Sequence, residues 1–341
     1  MKKKRILTAI LGILLMFALI WWAGVDETIG LVRSADINNL LMALVMQLMA
    51  TLAWALRWRV FLKKAGVEVG FAHILIATLI GVFFNNITPG ARAGGEPARM
   101  VVISKKSRSG YGQVFATIMA DRILDVIPVM VLTFIAFKYA LRLRIHILLL
   151  VLSISTVSLV IILTVSILLS LNERLALKFL KWIVGILKRA FPKKFEDMEE
   201  KLEEKLKKSI FEFRETLIEL SKDKTVLIKT LFYSFALWIF MLLRVYFVFR
   251  SVGYPLDLYK ILMVQMAGIA LGMISILPGG IGITEAVNSA LYLSLSIDKS
   301  LAVTATVIDR FISFWLPSLV GGALSVYLGI KDGGLKENLS K

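Results

Sequence analysis

Nine ionisable residues occupy places where the sequence offers them little water. Arg92, Glu96 and Arg99 lie at or just after a Pro-Gly turn, Glu285 closes a second such turn, and Asp121, Arg122, Asp125, Asp309 and Arg310 fall inside apolar runs. A charge at the centre of a membrane helix costs about 2.5–3.5 kcal/mol even on the mild insertion scale, so each of these groups needs a partner. One solution is mutual neutralisation: Arg122 and Asp125 are three residues apart on one helix face, and Glu96 is within reach of Arg92 or Arg99. The other is recognition of a charged solute, because paired guanidinium forks suit the oxygens of a phosphate. Metal chemistry is not expected: the chain has no cysteine, and its histidines are His73 and His146. No cofactor or nucleotide-binding motif is expected either.

The spacing of these residues recurs. Residues 89–96 read PGARAGGE and residues 278–285 read PGGIGITE; ATIMADR at 116–122 is matched by ATVIDR at 305–310, followed by Pro128 and Pro317 respectively. Upstream, Leu56-Arg57 through Gly66 overlays Leu243-Arg244 through Gly253. The chain therefore carries an internal duplication. Pro89, Gly90, Gly94 and Gly95 form one tip, and Pro278, Gly279, Gly280 and Gly282 the other. Glycine permits the backbone turns such a tip needs, and a helix starting there would present free N–H groups to an anion. Because Ile281, Ile283 and Thr284 stand in the second tip where the first has an arginine, the halves are not expected to bind identical groups equally.

Hydrophobic residues make up 58% of the chain, well above the ~45–50% of soluble domains, and mean hydropathy is +0.79. The expected fold is an all-α polytopic membrane protein of about eight transmembrane helices plus two re-entrant hairpins in an inverted internal repeat. Its parts are a first helix and external loop (1–37), repeat unit 1 (38–144, re-entrant motif 88–104), a connecting helix (145–171), cytoplasmic amphipathic and charged helices (172–225), repeat unit 2 (226–330, re-entrant motif 278–297) and a cytoplasmic tail (331–341). The net charge of +17 is gathered at the ends of apolar runs, at Lys2 to Arg5, Arg57 to Lys64, Lys105 to Arg108 and Arg174 to Lys224. That is the positive-inside pattern with a cytoplasmic N-terminus, not a nucleic-acid surface. Lys138, Arg142 and Arg144 fall on the opposite side. Between Arg174 and Phe191, Leu175, Phe179, Leu180, Ile183 and Leu187 share a face opposite several lysines, the pattern of an interfacial helix.

LPGGIGITE with its downstream DR helix, together with NITPGARAGGE and LRWRVFL, resembles the flippase-like transmembrane family typified by the N-terminal domain of lysylphosphatidylglycerol synthases. The resemblance implies an eight-helix lipid-translocating domain, with headgroup or gating roles for Arg92, Glu96, Arg99, Glu285, Asp309 and Arg310; Asp121 and Arg122 join them from the charge pattern. The soluble aminoacyl-transferase domain of the full synthases has no counterpart in the sequence, so no enzymatic activity is expected. The function expected is translocation of an anionic, aminoacylated or polyprenyl-phosphate-linked lipid in the cell membrane, passive or ion-coupled, with Glu96 and Glu285 as candidate proton carriers. Expected partners are membrane lipids with anionic headgroups and, in one alternative, a lipid-modifying enzyme for which this chain is a non-catalytic membrane subunit. A second alternative is a polyprenyl-dependent glycosyltransferase, for which Asp26-Glu27 is the one acidic pair in the first external loop.

Overall fold

The computed structural model describes residues 2–88, 94–171, 199–274 and 277–329, and among these the chain is helical with no strand. The helices are α1 (Lys2–Ala23), α2 (Val25–Arg33), α3 (Ile37–Lys64), α4 (Phe71–Ile87), α5 (Gly95–Ser107), α6 (Tyr111–Leu143), α7 (His146–Leu171), α8 (Glu199–Lys222), α9 (Lys224–Ser251), α10 (Leu258–Ile274), α11 (Ile283–Ser294), α12 (Lys299–Arg310) and α13 (Leu316–Tyr327). A 3₁₀ turn at Pro278–Gly280 precedes α11, and a π-helical turn at Phe311–Trp315 joins α12 to α13.

The duplicated sequence produces duplicated elements. Helices α3 and α9 are 28 residues each and α4 and α10 are 17 each. The short helices after the tips, α5 and α11, have 13 and 12 residues. Local signals set the same boundaries twice. Asp36 caps α3 through the Asn38 amide, and Asp223 caps α9 through the amides of Thr225 and Val226. Each helix is then followed by a left-handed glycine, Gly66 (φ 72°) or Gly253 (φ 78°), which carries the chain into the next turn. The copies part company further on. Helix α6 runs unbroken for 33 residues through Pro128, whereas its counterpart is split into α12, the π turn and α13, with Pro317 at the start of α13.

Helices α3 and α9 form the most extensive helix pair and run antiparallel: the Asp36 amide donates to the Ser251 carbonyl at one end (2.8 Å), while Arg57 meets Ser234 towards the other (2.8 Å). Buried apolar residues gather into two cores. One, around Trp58, Phe61, Ile74, Ile80 and Ile118, holds α3 to α6; the other, around Leu148, Phe249, Met263, Tyr292 and Ala302, holds α7 and α9 to α12. The outer surface is also apolar, with Phe134, Phe232, Leu319 and Val326 all exposed. Charges inside and large apolar side chains outside is the arrangement a bilayer stabilises and water does not.

Among the described residues four helices are long and apolar enough to cross a membrane: α3, α6, α9 and the α12–α13 unit. A fifth span results if α1 and α2, bent by 89° at their junction, count as one. The interfacial helix expected between Arg174 and Phe191 lies outside the described residues, as do Pro89, Gly90 and Arg92 of the first tip. Helix α8 follows as the sequence expects and packs on α6.

Candidate functional site: two copies of an ion-paired cluster

Each repeat builds the same two ion pairs. The first joins its long helix to the aspartate of its DR pair. Arg57 Nε donates to Asp121 Oδ1 at 2.6 Å, and Arg244 donates from Nε and Nη2 to the two oxygens of Asp309 at 2.7 and 3.2 Å. The second joins the tip glutamate to the arginine of the same DR pair: Arg122 with Glu96, and Arg310 Nε with Glu285 Oε1 at 2.8 Å. Adjacent residues on α6 and on α12 thus point one charge at the long helix and one at the tip.

The arginines of the long helices also bind across the repeat boundary. Nη1 of Arg57 donates to Ser234 Oγ on α9 (2.8 Å), and Nη1 of Arg244 donates to Gln47 Oε1 on α3 (2.7 Å). Gln47 occupies in the first copy the place that Ser234 has in the second, so the two contacts are the same contact made in both directions across the α3–α9 crossing. Arg57 and Arg244 are 1% and 2% exposed. The sequence reading placed Arg57 among the charges of the cytoplasmic rim, and this is corrected: its neighbours Lys63 and Lys64 reach the surface, while Arg57 turns inward to Asp121 and Asp125. The signal was present in the Leu-Arg register shared with Arg244.

The pairing expected inside the first repeat also changes. Arg122 does not pair with Asp125 along its own helix; Asp125 is taken by Arg57 and by the Trp238 indole N–H (3.2 Å). Glu96 pairs with Arg122 rather than with Arg99. Arg99 is completely buried, donates to Asp121 Oδ2 at 3.1 Å, and lies over the Trp58 and Trp54 rings with its guanidinium carbon 3.9 and 5.1 Å from their centroids. Indole faces attract a desolvated cation, and Trp54 also donates its N–H to Asp121 (2.9 Å). Tertiary contact won over sequence proximity because a buried carboxylate needs several donors at once, more than a single neighbour three residues away supplies.

At each tip one amide of the helix start is already spent within the fold. The Gly282 amide donates to Glu285 Oε2 at 2.7 Å, and the Gly95 amide donates to Asn85 Oδ1 at 2.8 Å. Their glycines serve different ends. Gly279, Gly280 and Gly282 have positive φ and make a true turn, whereas Gly94 has φ −81° and Gly95 is helical. At Gly95 it is closeness that matters: a Cβ there would lie 2.3 Å from the Gly81 carbonyl oxygen of α4.

Taken together, the predicted residues form two sets: Glu96, Arg99, Asp121 and Arg122 around Arg57, and Glu285, Asp309 and Arg310 around the second tip with Arg244. The second tip is sealed. Arg310 also donates to the Gly279 carbonyl (2.9 Å) and stacks on Phe314, and α1 crosses close above Gly282, where a Cβ would sit 2.7 Å from the Gly12 carbonyl oxygen. The first pair is more open, the Arg122 side chain being 39% exposed against 8% for Arg310.

A helical bundle with an apolar exterior and ion pairs buried beside interrupted helices is a multi-pass membrane protein. The chain belongs to the family described as the lysylphosphatidylglycerol synthase TM region, whose model matches residues 9–321. It is 47% identical over 322 residues to a UPF0104 membrane protein of Pyrococcus horikoshii, covering 94% of this chain and 96% of the relative. A UPF0104 membrane protein of Methanothermobacter thermautotrophicus is 32% identical over 335 residues, covering 96% and 97% of the two chains. A third, from Methanocaldococcus jannaschii, is 25% identical and covers 93% of each.

Proposed function

We propose that the protein translocates a lipid with an anionic headgroup across the cell membrane, using two inverted repeats of an eight-span bundle that rock against each other. The inverted arrangement is supported by the antiparallel α3–α9 pair and by the reciprocal Arg57–Ser234 and Arg244–Gln47 contacts, which a two-fold axis in the membrane plane would generate. With the N-terminus cytoplasmic, the exposed Lys63, Lys64, Lys105 and Lys106 share the cytoplasmic end with α8, as Lys64 does through its contact with Glu219 of that helix (3.7 Å).

The observation that carries the reading is the unequal exposure of the two equivalent tip pairs. Arg122 has the most exposed side chain among the described cluster arginines, and Glu96 holds it in place until a phosphate oxygen competes. A phosphate arriving there exchanges one anion for another at Arg122, which avoids stripping a bare charge of all partners. In the opposite state the Arg310–Glu285 pair would open and the first would close.

The test is reconstitution of the purified protein into liposomes carrying tail-labelled lipids, with movement between leaflets read by quenching from outside. Wild type is expected to move an anionic lipid faster than a zwitterionic one, Arg122→Gln to lose that preference, and Arg122→Lys to retain part of it. Equal rates for both lipids, unchanged by Arg122→Gln, would refute the headgroup assignment.

A further inference from the structure

We propose that the second repeat binds a monovalent metal cation at the place where the first repeat keeps the guanidinium of Arg99. Arg99 stands three residues after the tip glutamate Glu96 and packs on Gly81 of α4, where an added Cβ would lie 2.7 Å from Arg99 Cγ. Three residues after Glu285 the second copy has Asn288, packed on the matching glycine, Gly268 of α10, where a Cβ would lie 2.5 Å from Asn288 Oδ1. The two side chains therefore fill the same place in the two copies. One is a cation bonded to the aspartate of its DR pair; the other is a neutral amide beside a narrow pocket, too tight for a water molecule, that reaches Asp309.

The polar wall of that pocket is Gln265, Asn288, Tyr292, Thr306 and Asp309. Asn288 Oδ1 and Thr306 Oγ1 have no hydrogen-bond partner among the described residues, although these residues are only 8% and 3% exposed. Buried oxygens left in that state are costly to a fold unless something occupies them. The first copy does not share this polarity. Three residues before Asp121 stands Ile118, against Thr306 before Asp309, and Thr117, which the repeated AT places against Thr306, donates to the Val114 carbonyl (2.7 Å) and accepts from the Trp58 indole N–H (3.0 Å). Three residues before Gly81 stands Thr78, whose hydroxyl is spent on the Ile74 carbonyl (2.9 Å), against Gln265 before Gly268. Around the built-in guanidinium Ile118 is apolar and the threonine hydroxyls are satisfied, although Arg99 Nε and Nη1 face the indole rings without a hydrogen bond; where it is missing, unpartnered oxygens line the pocket.

Those donors define the ligand class. Carboxylate, amide and hydroxyl oxygens, with neither thiolate nor imidazole, suit a hard cation. The single carboxylate is already paired with Arg244, so the site holds no spare negative charge and favours a monovalent over a divalent ion.

The experiment is thermal unfolding of the purified full chain in NaCl against N-methylglucamine chloride at constant ionic strength. Sodium is expected to raise Tm saturably, by about 2–4 °C. Asn288→Arg, which installs the cation of the first copy, should abolish the response. Thr306→Ala, which removes one donor from a site that otherwise keeps its packing, should raise the half-saturating sodium concentration about tenfold. Thr284→Ala, which removes an unpartnered hydroxyl outside the pocket wall, should leave the response intact. No difference between the two salts, or a sodium response that survives in both Asn288→Arg and Thr306→Ala, would overturn the proposal. The readout needs no lipid movement, so a failed translocation assay and a failed cation site remain separate results.

Discussion

Arg122 in the first repeat and Arg310 in the second are the same residue of a duplicated plan, each held by the tip glutamate of its own copy, yet one is open and the other shut. The ion-pair chemistry does not make the difference; the cover does. The second tip lies under α1, against the Phe314 ring, and beside the end of α4, where a Cβ at Gly279 would lie 2.9 Å from the Asn86 carbonyl oxygen. A second contrast runs the other way. Among the described residues the first cluster contains three arginines and three acids, including Asp125 and Arg99, whereas the second contains two of each, with Asn288 and Ser313 at the positions of the missing pair. Duplicate backbones thus hold one charge-rich, accessible cluster and one charge-poor, enclosed cluster. The difference in charge is fixed by the sequence, whereas the difference in exposure is the one that the proposed rocking would reverse.

The largest expected effect is all-or-none and tests whether the copies are inverted. The native chain has no thiol, so cysteines at the exposed positions Lys106 and Ser221 should react with an impermeant reagent from one side of the membrane, and those at Ser34 and Lys299 from the other. Labelling of Ser34→Cys and Ser221→Cys, which hold equivalent places before α3 and α9, from the same side would end the inverted comparison. Next come the crossing arginines. Removing one partner of a buried pair costs about 3–5 kcal/mol, and Arg244→Ala should cost more than Arg57→Ala, because it takes from Asp309 the guanidinium that holds both its oxygens, whereas Asp121 keeps Arg99 and Trp54 and Asp125 keeps Trp238. Thermal unfolding in detergent measures both; in the second copy, Arg244→Met with Asp309→Leu should recover most of what Arg244→Met loses.

The tip glutamates sharpen the open-versus-sealed distinction. Glu285→Gln removes the charge that serves both Arg310 and the Gly282 amide in a closed site, so a loss of about 1–3 kcal/mol is expected. Glu96→Gln disturbs a partly exposed pair and should cost under about 1 kcal/mol. Equal losses in the two variants would show that exposure does not separate the tips. The smallest effect concerns the matched caps Asp36 and Asp223. The Val226 amide, followed by the Lys64 ammonium, holds the Asp223 carboxyl below its ordinary value. A depressed carboxylate contributes stability that is present above its unfolded pKa of about 3.9 and is lost as pH falls through its lower folded value. A slight acid sensitivity of Tm below about pH 4 should therefore be weakened in Asp223→Asn, a cap without the charge.

Much of the fold is legible in the chain because its signals are local. Apolar runs at 38–62, 71–87 and 226–250 anticipate α3, α4 and α9 closely, and capping aspartates and left-handed glycines fix the ends of α3 and α9. The composition of the clusters was legible too, because the duplication singles out Glu96, Glu285, Asp121, Asp309, Arg122 and Arg310. Their pairing was not. Arg57 and Arg244 lie more than sixty residues from the aspartates they hold, and sequence proximity favoured partners such as Arg122 with Asp125 that the fold sets aside.

By itself the sequence determined that this chain belongs in a bilayer, that it is built twice from one plan, and which charges must be neutralised inside it, because hydropathy, caps and repeats act over a few residues at a time. Only the tertiary structure decided who neutralises whom, that Arg99 is held between tryptophans and Asp121, and that Asn288 leaves oxygens where Arg99 puts a cation. Those outcomes depend on which helices cross. In a low-dielectric interior the nearest donor in space, not in sequence, sets the energy of a buried charge.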